Sequence, residues 1–146
     1  MHAALPLHFR RATSADIPVI REIRMLVTEN VLSNPERVTY QMCEDYLDRL
    51  GCGWVCEQDG VIIGFSYAAK DDSSIWALFV RPESHGIGAG KGLLQLAVDW
   101  LFSLGNQTVT LGTQANSRAD RFYARQAWVR GAMKDEVEVS YVLHRS

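Results

Sequence analysis

Four glycines fall within seven residues, at Gly86, Gly88, Gly90 and Gly92, inside the stretch RPESHGIGAGKGLLQLAVDWLF that runs from Arg81 to Phe102. An apolar run with no further glycine follows. Glycine inside a helix costs up to ~1 kcal/mol relative to alanine, so the cluster needs a compensating role. Placed between a strand and a helix, it lets consecutive N–H groups point at one spot with no Cβ atoms in the way. The helix adds the positive end of its dipole, and such a concavity holds phosphate oxygens. Two familiar phosphate loops do not fit. A Walker loop needs GxxxxGK followed by Ser or Thr, but here His85 takes the first glycine's place and Gly92 follows Lys91. A dinucleotide fingerprint needs GxGxxG, but its last position falls on Lys91 or Leu93.

A second segment, ANSRADRFYARQAW, pairs Asn116 with Phe122-Tyr123. Either Asn116 or Ser117 opens a short helix there. A phenol of ordinary pKa, about 10, stays protonated at neutral pH and can hand on a proton. Cys43, Cys52 and Cys56 form no CxxC pair, and the four histidines are scattered. The cysteines therefore read as small buried hydrophobes rather than as a disulfide framework, a zinc site or a nucleophile.

The elements that must position these residues follow from periodicity. LHFRRAT alternates as a short strand. Thr13 or Ser14 caps a helix, ADIPVIREIRMLVTEN, with Ile17, Ile20, Ile23 and Val27 at helical spacing and Asp16 near its positive end. VLSNPER is a loop. Thr39 begins a second helix, YQMCEDYLDRL, with Gly51 as its terminal cap. GWVCEQDGVIIGFSYAAK is a hairpin turning on Asp59-Gly60, which suits a type I′ turn. IWALFV is apolar on both faces, as a central strand is. The glycine segment, LLQLAVDWLFSL ended by Gly105, and the strand QTVTLGT complete a parallel crossover. Two strands, near WVRGAM and EVEVSYVLHR, close the chain.

This β-α-α-β-β-β-α-β-α-β-β order, together with both segments, resembles the GNAT superfamily of N-acetyltransferases over nearly the whole chain. His85-Gly86-Ile87-Gly88-Ala89-Gly90 is similar to that family's (Arg/Gln)-x-x-Gly-x-(Gly/Ala) loop, with His85 in the first place. Asn116, Phe122 and Tyr123 match its later segment, with Ala127 where the family has glycine; either alanine there costs on the order of 1 kcal/mol or the helix ends differently. The resemblance implies an α+β fold whose mixed, mostly antiparallel sheet splays between strands 4 and 5 and is flanked by about four helices. It implies a single N-acetyltransferase domain, 1–146, that uses acetyl-CoA and no metal.

Carried over residue by residue, the pantetheine arm of acetyl-CoA pairs with Leu78, Phe79 and Val80, and an N–H near Val80 faces the oxyanion. The diphosphate sits on the N–H groups of His85, Gly86, Ile87, Gly88, Ala89, Gly90 and Lys91. Asn116 bonds the arm, and Tyr123 is the general acid. Lys91, Arg118, Arg121 and Arg125 supply a basic edge. Strand 4 carries no acid, so the candidate for holding or deprotonating the amine is Glu29, with Glu57 weaker. Asn30, Trp54 and Trp76 are candidates to line the same pocket. The alternative is a non-catalytic acyl-CoA-binding regulator on the same fold.

Composition fits such a domain. The chain has 146 residues, 47% hydrophobic and 22% charged, with a net charge of -2. That gives no pull towards nucleic acid or anionic membrane. MHAALPLHFRR lacks the features of a signal peptide, and no stretch approaches the ~18 apolar residues of a membrane span. The expectation is a cytoplasmic enzyme acting on a small-molecule or peptide amine. Homodimers are common among such proteins, and the sequence leaves the oligomeric state open.

Overall fold

The computed structural model describes residues 6–27 and 38–145. Strand β1 (Leu7–Arg11) leads through a 3-10 turn, Ser14–Asp16, into α1 (Ile17–Val27). Then come α2 (Tyr40–Asp45), β2 (Gly51–Gln58), β3 (Val61–Ala69), β4 (Ser74–Val80), α3 (Ala89–Ser103), β5 (Thr108–Gln114), α4 (Arg118–Ala124), β6 (Val129–Met133) and β7 (Glu138–His144). All seven strands join one sheet in the order β1-β2-β3-β4-β5-β7-β6. Every pairing is antiparallel except β4 with β5. The expected mixed sheet is therefore present, with four α-helices among the described residues.

Each face of the sheet has its own core. Against α3, whose Leu93, Ala97 and Leu101 are fully buried, pack Trp54, Cys56, Ile75, Val80, Val109, Leu111, Val139 and Tyr141. On the opposite face Ile17, Ile20 and Ile23 of α1 and Cys43 of α2 meet Val55, Phe65, Tyr67 and Ala77. The i, i+3, i+6 spacing of the three isoleucines puts them on one side of α1, as the sequence predicts. Two buried hydroxyls tie helices to the sheet: Ser66 donates to the Leu93 carbonyl at 3.0 Å and Tyr67 to the Cys43 carbonyl at 3.2 Å. Asp59 and Gly60 both have positive φ, 53° and 76°, as a type I′ hairpin requires.

Three expectations need correction. The second helix stops at Asp45 rather than running to Leu50, and Leu50 N–H bonds back to the Asp45 carbonyl in a wider turn. Gly51 is not its cap but the first residue of β2. It is glycine because a β-carbon there would drive into the Ala68 carbonyl of the neighbouring strand. Trp54 and Trp76 do not share a pocket. Trp54 packs on the α3 face, edge-on to Trp100, whereas Trp76 stacks on Tyr46 on the α1 face, with centroids 4.2 Å apart.

Candidate active site

Strands β4 and β5 share a single rung, Ser74↔Thr110, held by a bond from Thr110 N–H to the Ser73 carbonyl. Beyond it they part. Register shows which groups this leaves unpaired. Arg81 N–H bonds to Ile63 O, which makes Gly64↔Val80 a non-hydrogen-bonded pair; two residues back, so is Ser66↔Leu78. The N–H and C=O groups of Leu78 and Val80 therefore point away from β3 into the fork. Those of Phe79 are committed to the ladder with Phe65, so of the three expected arm-binding residues Leu78 offers both main-chain groups and Val80 only its N–H, its carbonyl being taken by the His85 ring.

A bulge at the fork escaped sequence reasoning. Tyr67 opposes Ala77 and Ala68 opposes Ile75, leaving Trp76 as an extra residue. Trp76 and Ala77 thus turn to the same face, and β4 bends where β5 departs. An unbroken apolar strand carries no signal of this.

The glycines divide by role. Gly86 and Gly88 have φ of 83° and 94°, with open space where a side chain would stand. Gly88 is the N-cap of α3. Gly92 serves packing: a β-carbon there would collide with the Phe9 ring. At Gly90 a β-carbon would stand 3.6 Å from Val80 Cγ2 and 3.9 Å from Phe122 Cζ, so the end of β4, the first turn of α3 and α4 meet at this point. The His85 N–H is spent on the Pro82 carbonyl at 3.3 Å, so the donor set begins one residue later than expected. From Gly86 to Lys91, six consecutive N–H groups bond to no main-chain carbonyl among the described residues, and regular helix bonding begins with Gly92 N–H to Gly88 O at 3.0 Å. The His85 ring turns back, its Nε2 donating to the Val80 carbonyl at 3.0 Å.

At α4 the two capping alternatives resolve. Ser117 is the N-cap, accepting from Asp120 N–H at 3.1 Å. Asn116, at φ 62°, is exposed, and among the described residues its carboxamide has no protein partner. The Tyr123 ring is buried against Phe122, Trp128 and Tyr141. Among the described residues its hydroxyl has no hydrogen-bond partner, and its oxygen is not completely enclosed. Burial pushes this phenol further up from its ordinary range. Ala127 is not left-handed. Arg125 and Gln126 N–H return to the Phe122 and Tyr123 carbonyls at 3.1 and 3.0 Å, and the helix ends without needing glycine.

Beneath α4 lies a network that sequence reasoning missed. The buried Asp120 carboxylate accepts from Asn116 N–H at 2.8 Å, from Arg130 at 3.0 and 3.2 Å, and from the Tyr141 hydroxyl at 2.5 Å. Arg130, above all, holds it well below the usual carboxylate range. The S-x-x-D spacing of Ser117 and Asp120 was the available signal.

Other candidates are placed differently. Glu29 and Asn30 lie outside the described residues. Glu57 accepts from Arg10 at 2.9 Å, and Arg10 also grips Asp16, so Glu57 braces β1 and β2. Lys91, Arg118, Arg121 and Arg125 are exposed, and among the described residues none of the four joins an ion pair.

Residues 18–128 match the family model described as acetyltransferase (GNAT) family. Solved structures share the fold over nearly the whole chain. The PaiA N-acetyltransferase of Thermoplasma acidophilum, in complex with coenzyme A, is 14% identical with a TM-score of 0.81, covering 97% of this chain and 100% of that one. The ribosomal-protein-S18-alanine N-acetyltransferase of Escherichia coli is 16% identical with a TM-score of 0.75, covering 95% and 94%. An N-acetyltransferase of Staphylococcus aureus Mu50 is 18% identical with a TM-score of 0.77, covering 95% and 98%. No curated protein matches the chain.

Proposed function

The chain belongs to the acetyltransferase (GNAT) family, and on that premise we propose that it moves the acetyl group of acetyl-CoA to a primary amine by direct attack in a ternary complex. One observation carries the reading: six consecutive N–H groups at the mouth of α3 with no main-chain partner among the described residues, beside a β4 edge whose Leu78 and Val80 have no strand partner there. The coenzyme A in complex with the Thermoplasma protein is the kind of ligand this arrangement suits.

In this reading Gly86, Ile87, Gly88, Ala89, Gly90 and Lys91 hold the diphosphate, reinforced by the α3 dipole. The arm runs along β4 as a false strand against Leu78 and Val80, with the free Asn116 carboxamide bonding its amides. A main-chain N–H of Leu78 or Val80 faces the oxygen on which negative charge develops. Acetyl-CoA supplies the activated acyl carbon. As the N–C bond forms and the C–S bond breaks, the nitrogen gives up a proton through water, and Tyr123 delivers one to the departing sulfur. Tyr123 suits the acid role because burial keeps it protonated across the working pH range.

Two measurements test this. Calorimetry with CoA reads the cofactor site, and thiol release from acetyl-CoA across a panel of amines reads turnover. With the active amine, Tyr123→Phe lowers kcat by about a hundredfold while the CoA dissociation constant stays within about twofold. An unchanged kcat removes Tyr123 from the acid role. The absence of any acid on β4 favours one other reading, a non-catalytic acyl-CoA sensor, which predicts heat with acetyl-CoA and no thiol from any amine.

A further inference from the structure

Among the described residues, the helices that pack on the sheet face opposite α3 are α1 and α2, with α1 lying over β3 and β4. On the same face Ser74, Trp76, Thr110, Gly112, Glu138 and Ser140 line a depression of about 510 Å³, a size that fits a small molecule. It lies at the fork, around the last rung, Ser74↔Thr110. The thioester of the preceding reading would reach the same fork from within the slot.

The charges in this depression are of both signs: Asp72, which accepts from the Ser74 hydroxyl at 2.6 Å, lines it, and Lys134 and Glu138 meet over Gly112. Val109 and Leu111 face α3, so the alternation of β5 turns Gly112 to the opposite face. The φ of Gly112 is not positive, so no backbone strain asks for glycine there, and the space where a side chain would begin is taken by the ends of two charged side chains. A β-carbon there would lie 2.9 Å from Lys134 Nζ and 3.0 Å from Glu138 Oε2. The backbone under these two side chains is fixed: Lys134 N–H bonds to the Glu138 carbonyl at 2.7 Å, and Asp135 accepts from Val137 and Glu138 N–H. The side chains themselves are half-exposed and 3.8 Å apart, too far for a hydrogen bond. The two ends are thus loosely joined, and each is open to a counter-charge.

We propose, resting on the acetyl-transfer reading, that the acceptor is a small zwitterionic amine, an amino acid with a free carboxylate, held at the fork by Lys134 and Glu138. The Lys134 ammonium takes the carboxylate. Glu138 takes the ammonium, accepts one of its protons and passes it to water, which leaves a neutral amine to attack. Trp76, stacked on Tyr46, forms the apolar wall beside the acceptor's side chain.

The test compares thiol release from acetyl-CoA with the common amino acids, with their carboxamides, and with spermidine and lysine peptides. The best free amino acid exceeds its own carboxamide in kcat/KM by about tenfold or more, and Lys134→Gln collapses that ratio to within about twofold. Glu138→Gln lowers kcat with the same amino acid about tenfold or more. A carboxamide that serves as well as the acid overturns the proposal, as does a ratio that survives Lys134→Gln. Thiol release with spermidine or peptides alone overturns the acceptor class and leaves acetyl transfer standing. Thiol release with none of them, despite heat on acetyl-CoA binding, overturns both.

Discussion

Asp120 shows what one side chain can do for a site it does not enter. Its carboxylate collects the Asn116 N–H, the Arg130 guanidinium and the Tyr141 hydroxyl, and Tyr141 in turn packs 5.6 Å from the Tyr123 ring. Asn116 sits at a positive φ, where asparagine is tolerated but not favoured, and the bond to Asp120 helps hold it there. Asp120→Asn keeps the shape but turns an NH2 towards groups that need an acceptor. The expected loss is about 2 kcal/mol of stability, the cost of donors left without a charged partner. The KM for acetyl-CoA should also rise several-fold, because the Asn116 carboxamide loses its fixed aim. Asn116→Ala should raise that KM to a similar extent, and the double variant should be no worse than either single. Additive effects on KM would mean that Asp120 only supports the fold.

Single elements differed in how far they could be read. The Asp59-Gly60 hairpin, the isoleucine stripe of α1 and the glycine-led α3 carry local signals that packing reinforces, and they stand where the sequence predicts. The second helix does not, because Gly51 looks like a cap when only its neighbours in sequence are considered. The reason for it, the Ala68 carbonyl across the strand, is a long-range contact. The Trp76 bulge and the commitment of Phe79 to β3 were hidden likewise, since register is invisible in an apolar strand. At the mouth of α3 the sequence offered four alike glycines, and the structure separates them. Gly88→Val forces a branched side chain into φ near 94° over the open donor turn. It should weaken CoA binding by tenfold or more in calorimetry. Gly92→Val meets the Phe9 ring instead. It should lower stability by about 1–3 kcal/mol, the usual cost of overpacking, and leave CoA affinity within about twofold. Equal losses of affinity in both variants would show that the turn acts through helix packing and not through its exposed N–H groups.

At the scale of the whole molecule, buried ionisable groups set the pH range over which this architecture holds. Among the described residues two buried carboxylates are held below their ordinary range: Asp120, chiefly by Arg130, and Asp16, chiefly by Arg10. A depressed carboxylate stabilises the fold above its unfolded pKa, about 3.9, and that stability drains away as pH falls through the folded value. On the alkaline side, burial pushes the Cys52 and Cys56 thiols up to about 11. Their contribution is complete below the unfolded thiol pKa, about 8.5, and fades as pH climbs towards 11. The melting temperature should therefore be flat from about pH 5 to about pH 8.5 and fall on both sides. Asp120→Asn supplies the internal control. Its deficit against the parent protein should be full at pH 7 and should narrow steadily below about pH 4, because the parent then loses the same charge by protonation. A deficit that stays constant down to pH 2 would show that the Asp120 carboxylate contributes shape alone, and that acid unfolding begins elsewhere in the molecule.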